Sequence, residues 1–585
     1  MKAYENFKVA AYVFAYYIAE ATDEEILRGI EYFKKYIHLD KVYLENHRSV
    51  VDIPVERMKQ VKKLFEDNDI EVSGGITSTV LVDGIRKPAI FDSFCYTDPA
   101  HRAKYLQIVK ELASVVDEII LDDFFFTSCR CEMCIEAKGK RSWKDYRLDL
   151  MEEFSKEIVA LAKEVNPNVN FIIKYPNWYE SYQETGYNPG KQKDIFDMIY
   201  AGTETREPFY SSQHLQRYES YSIIRLFENT APGRNGGGWI DQGGSGDNLN
   251  RWLEQADLTF YGKAKELMLF NFTHLIDADA LPPLGHRLYR TDKLVGMMGN
   301  PVGVATWEPF DADGEDQVYN YFGMKGMAIE PSPYFDENAP AVLLTQSSAC
   351  APDAMEKLEA YVRKGGNAIV TVGFFHEMYD KGIKDMTSVR LTHRHVIGQD
   401  YMVDNYNSDF SEICYAKGYE PVMFEVLNYK TNATWSDVTL LAGEDNFPIM
   451  TEDNYGRGRL FILNVPENFA DLYKLPKQVW RAINKHISWG QKVYASGEGK
   501  FSFFAYDNNV YGIQSYSPKR EVIQVAVRGE CSGLRDLLTG KIYTEKLTLP
   551  VPKKKQDSAT VIEEPIEYAF EVPVQPGKDF FFEVI

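Results

Sequence analysis

Residues 99–123 read PAHRAKYLQIVKELASVVDEIILDD. Apolar side chains recur every three or four positions from Pro99 to Val116, the spacing that lines one face of a helix. The period then collapses into the short apolar run Ile119-Ile120-Leu121, which reads as a buried strand and ends on two adjacent carboxylates, Asp122 and Asp123. A helix feeding a buried strand is one repeat of a parallel sheet, and the same alternation runs from the start of the chain to about residue 280. Strands are expected at Lys8–Phe14, Lys41–Leu44, Ile70–Ser73, Glu118–Leu121, Asn170–Lys174, Asp197–Tyr200, Ser222–Phe227 and Glu266–Phe270. Eight repeats predict a closed (β/α)8 TIM barrel over residues 1–300, in an α/β chain whose chemistry sits on the loops after the strands.

Those loops carry a short set of polar and aromatic candidates. Glu45, His47 and Arg48 follow the second strand, and Asp122 and Asp123 the fourth. Tyr175 and Trp178 follow the fifth, Glu204 and Arg206 the sixth, and Glu228 the seventh. Trp239 lies in a loop beyond Gly236-Gly237-Gly238, a triplet without the strand, helix start and Lys-Ser/Thr that frame a phosphate loop.

Alternation resumes over 301–491 with Val302–Thr306, Ala341–Thr345 and Ala368–Val372 as strands and Pro352–Lys364 as a helix, a second α/β domain in which 375–455 read as an irregular polar excursion. From 492 to 585 helical periodicity gives way to alternating strands, with a hairpin across Asp507-Asn508-Asn509, as in a small β-sandwich. Lys553-Lys554-Lys555 reads as a solvated loop. A formal charge of −21 without a basic stripe argues against nucleic acid. The chain has no run of about 18 apolar residues and no basic-then-apolar leader, so no membrane span and a cytoplasmic location are expected. An acidic cleft lined by aromatics, which make up 14% of residues, suits carbohydrate as substrate.

Of seven cysteines, Cys129, Cys131 and Cys134 form a C-x-C-x2-C run after the fourth strand and Cys95 follows the third. Loops after adjacent barrel strands are neighbours, so the four thiolates can complete a tetrahedral zinc site, structural because no position stays open for water.

The segments Cys95-Tyr96-Thr97-Asp98-Pro99-Ala100 and Cys129-Arg130-Cys131-Glu132-Met133-Cys134, with the carboxylates between them, resemble glycoside hydrolase family 42, the zinc-containing β-galactosidases. The resemblance implies that the middle domain is glutamine-amidotransferase-like and mediates assembly of a homo-oligomer, a trimer by analogy. Glycosidic hydrolysis needs one protonated and one ionised carboxyl group across the scissile bond. In family 42 these are a Glu after strand four, preceded by Asn, and a Glu after strand seven. Phe227-Glu228-Asn229-Thr230-Ala231-Pro232-Gly233 resembles the nucleophile segment, which makes Glu228 the expected nucleophile. Asp122-Asp123 stands where the family has Asn-Glu, which makes Asp123 the expected acid/base.

The expectation is therefore a retaining, exo-acting glycosidase that removes a terminal sugar, with Glu45, His47, Arg48, Tyr175, Trp178, Glu204 and Trp239 around the substrate. Two alternatives stay open. One is an α-glycosidase with Asp122 as nucleophile and Glu204 or Glu228 as acid, as in α-galactosidase and α-fucosidase barrels. The other is a barrel that binds carbohydrate without cleaving it.

Overall fold

In the computed structural model, eight parallel strands close into a barrel: β1 (Lys8–Val13), β2 (Lys41–Ser49), β3 (Glu71–Val80), β4 (Glu118–Leu121), β5 (Asn170–Tyr175), β6 (Met198–Gly202), β7 (Asn235–Asp241) and β8 (Glu266–Phe270). β1 pairs with both β2 and β8, which leaves no free edge. The structure describes residues 2–81, 90–178, 182–206, 215–241, 249–315, 317–403, 414–549 and 566–585, so Lys553–Lys555 lie outside the described residues. The chain divides into two compact units, Met1–Gly296 and Met297–Ile585. Among the described residues no helix is long and apolar enough to cross a membrane.

Local chemistry sets the helix starts. Thr22 and Glu25 form a reciprocal capping box at the head of Asp23–Tyr36. Asp98 caps Pro99–Ala113, whose proline stands where a missing N–H costs nothing. Side chains alternate in and out along each strand. The inward set of Ala10, Tyr12, Tyr43, Ile120, Ile172, Tyr200, Trp239 and Met268 fills the barrel as a buried layer. Below it, at the amino ends of the strands, Lys41 pairs with Glu118 at 2.8 Å and Glu266 at 3.0 Å. Tyr43 donates to the same two carboxylates, at 2.9 and 3.1 Å.

The expected seventh strand is a correction. Ser222–Phe227 lies within the helix Glu219–Thr230, and the seventh strand is the glycine triplet itself, Asn235–Asp241. Short apolar runs fit a strand or a buried helix equally well, and a run of glycines has no hydrophobic pattern to read. The glycines are steric necessities. A Cβ on Gly237 would come within 2.3 Å of the Glu266 carbonyl oxygen, and one on Gly238 within 2.4 Å of Thr259.

The second unit opens on five parallel strands, in the order Ile329–Ser332, Val304–Trp307, Ala341–Leu344, Asn367–Thr371 and Gly458–Leu463. The excursion expected to be irregular is regular: Asp445–Tyr455, Trp435–Ala442, Arg390–Val403 and Cys414–Asn428 extend the sheet as antiparallel strands. Their polar character follows from a largely exposed outer pair, in which Tyr401, Val403, Val422, Phe424, Val426 and Leu427 are the buried side chains. A six-stranded and a four-stranded sheet then pack face to face as a β-sandwich, with Phe503, Ile513, Phe580 and Phe582 of one meeting Ile523, Val525, Phe570 and Val572 of the other.

Candidate active site

One step beyond the buried layer, the next inward positions open onto a cavity of about 400 Å³ at the carboxyl ends of the strands. The two-residue period predicts what stands there. Above Ile120 comes Asp122, above Ile172 comes Lys174, above Trp239 comes Asp241, above Met268 comes Phe270, and above Tyr12 comes Phe14. Asp123, Glu204, Arg206 and Arg48 join them from the strand ends.

Arg48 faces the cavity because β2 carries a bulge. Glu45 opposes Gly75 while His47 opposes Ile76, so one extra residue on β2 reverses the alternation. His47, expected near the substrate, is thereby turned away. Its Nδ1 lies 2.6 Å from Asp52 and its Nε2 2.7 Å from the Thr79 carbonyl oxygen, so both ring nitrogens are committed. Glu45 stays behind the cavity wall and accepts from Tyr12, Thr77, the Ala15 N–H and Arg48. It orients Arg48 and has no reach toward a ligand. Arg48 in turn donates to Asp122 at 3.2 Å and stacks over Phe14 at 4.5 Å.

Lys174 organises the carboxylates. Its buried Nζ donates to Asp123 at 2.9 Å and Glu204 at 3.4 Å, and lies 3.7 Å from Asp122 and 4.3 Å from the Trp239 ring centre. Burial works against charge on Asp123, but the Lys174 ammonium, a hydrogen bond with Asp122 and the Arg206 charge together outweigh it and hold the carboxyl below the ordinary carboxylate range. Glu204 shifts the other way: burial pushes its carboxyl up, and Lys174 offsets this only in part. Its Oε2 is buried with no hydrogen-bond partner among the described residues. Burial, then the neighbouring Asp123 charge, push Asp122 up to about 8. At the end of β7, Arg206 holds Asp241 through two N–H groups, the Nε contact being 3.2 Å.

Besides His47, three expected residues are elsewhere. Glu228 belongs to the helix before β7, and its Oε1 accepts from the Gly233 N–H at 2.8 Å. Because that helix leads into the amino end of β7, Glu228 stands at the opposite end of the barrel from the cavity. Tyr175 points outward from β5, donating to Gln192 and stacking on Phe227. Glu45, as above, is a support. Asp122, Asp123, Arg48, Trp178, Glu204 and Trp239 do line the cavity, Trp239 from a strand instead of a loop. Lys174 and Asp241 were not singled out from sequence. A lysine at an inward position of the apolar run Phe171-Ile172-Ile173-Lys174-Tyr175 is the signal that could have found the first, and a carboxylate two residues past Trp239 the second.

The cysteines converge beside the loop that carries Asp123. Sγ of Cys95 lies 3.7 Å from that of Cys131 and 3.5 Å from that of Cys134, and Cys131 and Cys134 are 3.6 Å apart. Cys129 completes a group whose ligand atoms all lie within 4.8 Å of one another. These separations are far beyond a disulfide bond. They match the edges, about 3.8 Å, of a tetrahedron with metal–sulfur bonds of about 2.3 Å.

Comparison with known proteins agrees with the geometry. The family described as "Probable glycosyl hydrolase, catalytic domain" matches residues 1–294, "Uncharacterized protein SSO3021, second domain" matches 299–468, and "Probable glycosyl hydrolase, C-terminal domain" matches 492–578. The uncharacterised protein SSO3021 of Saccharolobus solfataricus is 30% identical over 304 residues, 47% of this chain and 50% of that protein. The chain thus matches about half the length of that curated relative. A β-galactosidase from Bacillus circulans sp. alkalophilus shares the fold at a TM-score of 0.63 and 10% identity, over 100% of this chain and 99% of the other. A β-galactosidase from Halorubrum lacusprofundi does so at 0.59 and 12%, over 97% and 100%. An exo-β-1,4-mannosidase from Opitutaceae bacterium strain TAV5 does so at 0.53 and 8%, over 80% and 92%. The fold is that of the family 42 β-galactosidases, and through its first 294 residues, just over half its length, the chain belongs to the family of probable glycosyl hydrolases.

Proposed function

We propose that the barrel is a retaining, exo-acting glycosidase in which Asp123 attacks the anomeric carbon and Glu204 donates the proton. The observation that carries this is the shared lysine: one ammonium touches both carboxyls, whose environments push their proton affinities in opposite directions. Contacts of 2.9 and 3.4 Å to one nitrogen keep the nearest oxygens inside the roughly 6.5 Å at which inverting separations begin.

The cycle follows from charge. Asp123 forms an ester to the sugar as the glycosidic C–O bond breaks, and the Glu204 proton passes to the departing oxygen. Negative charge thereby leaves Asp123 and appears on Glu204, and Lys174 is in contact with both. Glu204 then takes a proton from water as that water's oxygen attacks the anomeric carbon, and Asp123 departs as carboxylate. A cavity that ends on Trp239 and the apolar layer beneath it accommodates a chain end, which supports exo action.

Labelling with a 2-deoxy-2-fluoro glycoside, of the sugar and anomer found with an aryl-glycoside panel, tests the assignment. Peptide mapping is expected to find the label on Asp123. A second reading has its own support: Asp241 ends β7, the position from which the family resemblance draws its nucleophile, and Arg206 holds it through two N–H groups. Label on Asp241 selects that reading and rejects the first. For the cysteine cluster we propose structural zinc held by Cys95, Cys129, Cys131 and Cys134, bracing the loop from Asp122 to Cys129. One zinc per chain by elemental analysis, lost in Cys134→Ser, is the expected result. The homotrimer and the division of the chain at about residues 300 and 491 belong to the same proposal, tested by sedimentation velocity and limited proteolysis.

A further inference from the structure

Phe91 is held in a conformation that a bulky L-residue rarely adopts, and it is held there to expose its ring. Phe91 and Asp92 both have φ of 54°, in the left-handed region, and Phe91 is 66% exposed. Such outliers persist where surrounding structure or function requires them. The ring does not project at random. It meets Phe124 edge to face at 5.7 Å, Phe124 lies 6.4 Å from Phe126, and Phe126 meets the Trp178 ring at 5.9 Å. All four line the cavity, so a continuous aromatic wall climbs from the buried carboxyls to solvent. Trp239 and the apolar layer close the inner end, so this wall lies on the side toward which a leaving group departs.

We propose that Phe91, Phe124, Phe126 and Trp178 form the leaving-group platform, and that they select glycosides whose leaving group is itself an aromatic ring. This rests on the glycosidase reading of the cavity. Among the side chains of these four residues the indole N–H of Trp178 is the single polar hydrogen, so their rings offer faces and edges instead of hydrogen bonds. The wall's outer pairs are nearly perpendicular, at 86° for Phe91 with Phe124 and 88° for Phe126 with Trp178, while Phe124 and Phe126 between them are inclined by 27°. An aromatic guest meets such a faceted surface edge to face and offset at once. A saccharide leaving group needs one broad flat face and partners for its hydroxyls.

The test compares kcat/KM for the 4-methylumbelliferyl glycoside with that for the glycosyl fluoride of the same sugar, in the wild-type chain, Phe91→Ala and Phe91→Trp. The ratio is expected to fall about tenfold in Phe91→Ala and to recover in Phe91→Trp. Equal melting temperatures would show that the exposed ring can be removed without unfolding. An unchanged ratio overturns the platform and leaves the glycosidase reading intact. An equal loss on a disaccharide of the same terminal sugar overturns the aromatic preference. Turnover of no aryl glycoside or fluoride by the wild-type chain overturns the glycosidase reading and this inference with it.

Discussion

The barrel holds two buried charge clusters, one at each end of the same strands, and they are built to opposite rules. Lys41, Glu118, Tyr200 and Glu266 stand at the floor. Four residues further along each segment, roughly 13 Å of strand, come Glu45, Asp122, Glu204 and Phe270 at the mouth. At the floor every carboxylate is answered: Glu118 accepts from Lys41, Tyr43, Ser73 and Asn170, and Glu266 from Lys41, Tyr43 and Tyr200. At the mouth five carboxylates, Glu45, Asp122, Asp123, Glu204 and Asp241, share Arg48, Lys174 and Arg206, and Glu204 keeps one oxygen without a hydrogen-bond partner among the described residues. A saturated cluster stabilises; an undersatisfied one beside an open cavity has proton affinities left to use.

The sharpest break is at the mouth. Asp123→Asn is expected to lower kcat by at least about 10³-fold, and Glu204→Gln by about 10²–10⁴-fold on substrates with poor leaving groups, with melting temperatures held or raised. Steady-state kinetics with thermal unfolding of both variants checks this, and retained turnover in both would put the chemistry elsewhere.

At the floor the sign reverses. Lys41→Met leaves Glu118 and Glu266 buried without their cation and is expected to cost about 3–5 kcal/mol of stability, read from denaturant unfolding. The kcat/KM of the folded fraction should stay within about twofold. Loss of activity at constant stability would show that the two ends are coupled.

Lys174→Met should lower kcat at neutral pH by about 10–100-fold and move the acid limb of the pH–rate profile to higher pH. The sign follows from Lys174 holding Asp123 down: without it Asp123 stays protonated, and inactive as a nucleophile, to higher pH.

The effect spread most gradually over pH is linkage at Asp122. The folded chain holds this proton up to about pH 8, while the unfolded chain releases it near 3.8. Between those values the folded chain binds the extra proton, so this group's contribution, complete below about pH 4, is lost as pH rises toward 8. Melting temperatures of the wild-type chain and Asp122→Asn, measured from pH 5 to 8, should diverge with that slope.

Much of this frame was legible in sequence, and the misses share a cause. Seven of the eight barrel strands follow from apolar runs with pattern in them, β4 and β8 at the same residues in both readings. β7 escaped because glycine carries no pattern, and with it went Asp241; the apolar helix Glu219–Thr230 filled the gap and drew Glu228 into the wrong place. Asp122, Asp123 and the four cysteines stand out in the sequence because their spacing is local. Lys174 was passed over as the last residue of a strand, although its inward parity marked it. His47 and Arg48 were not separable, since a bulge depends on the partner strand as much as on its own residues.

That bulge also decides which side chain reaches the mouth. Taken up in regular pleat without the bulge, Asn46 would put His47 on the inward parity of Glu45, so that an imidazole would stand where the guanidinium now meets Asp122. Relatives should therefore carry the inward residue three positions after the Glu45 equivalent where the extra residue is present and two positions after it where it is absent, and an alignment that slides a gap across it will pair side chains that never occupy the same space.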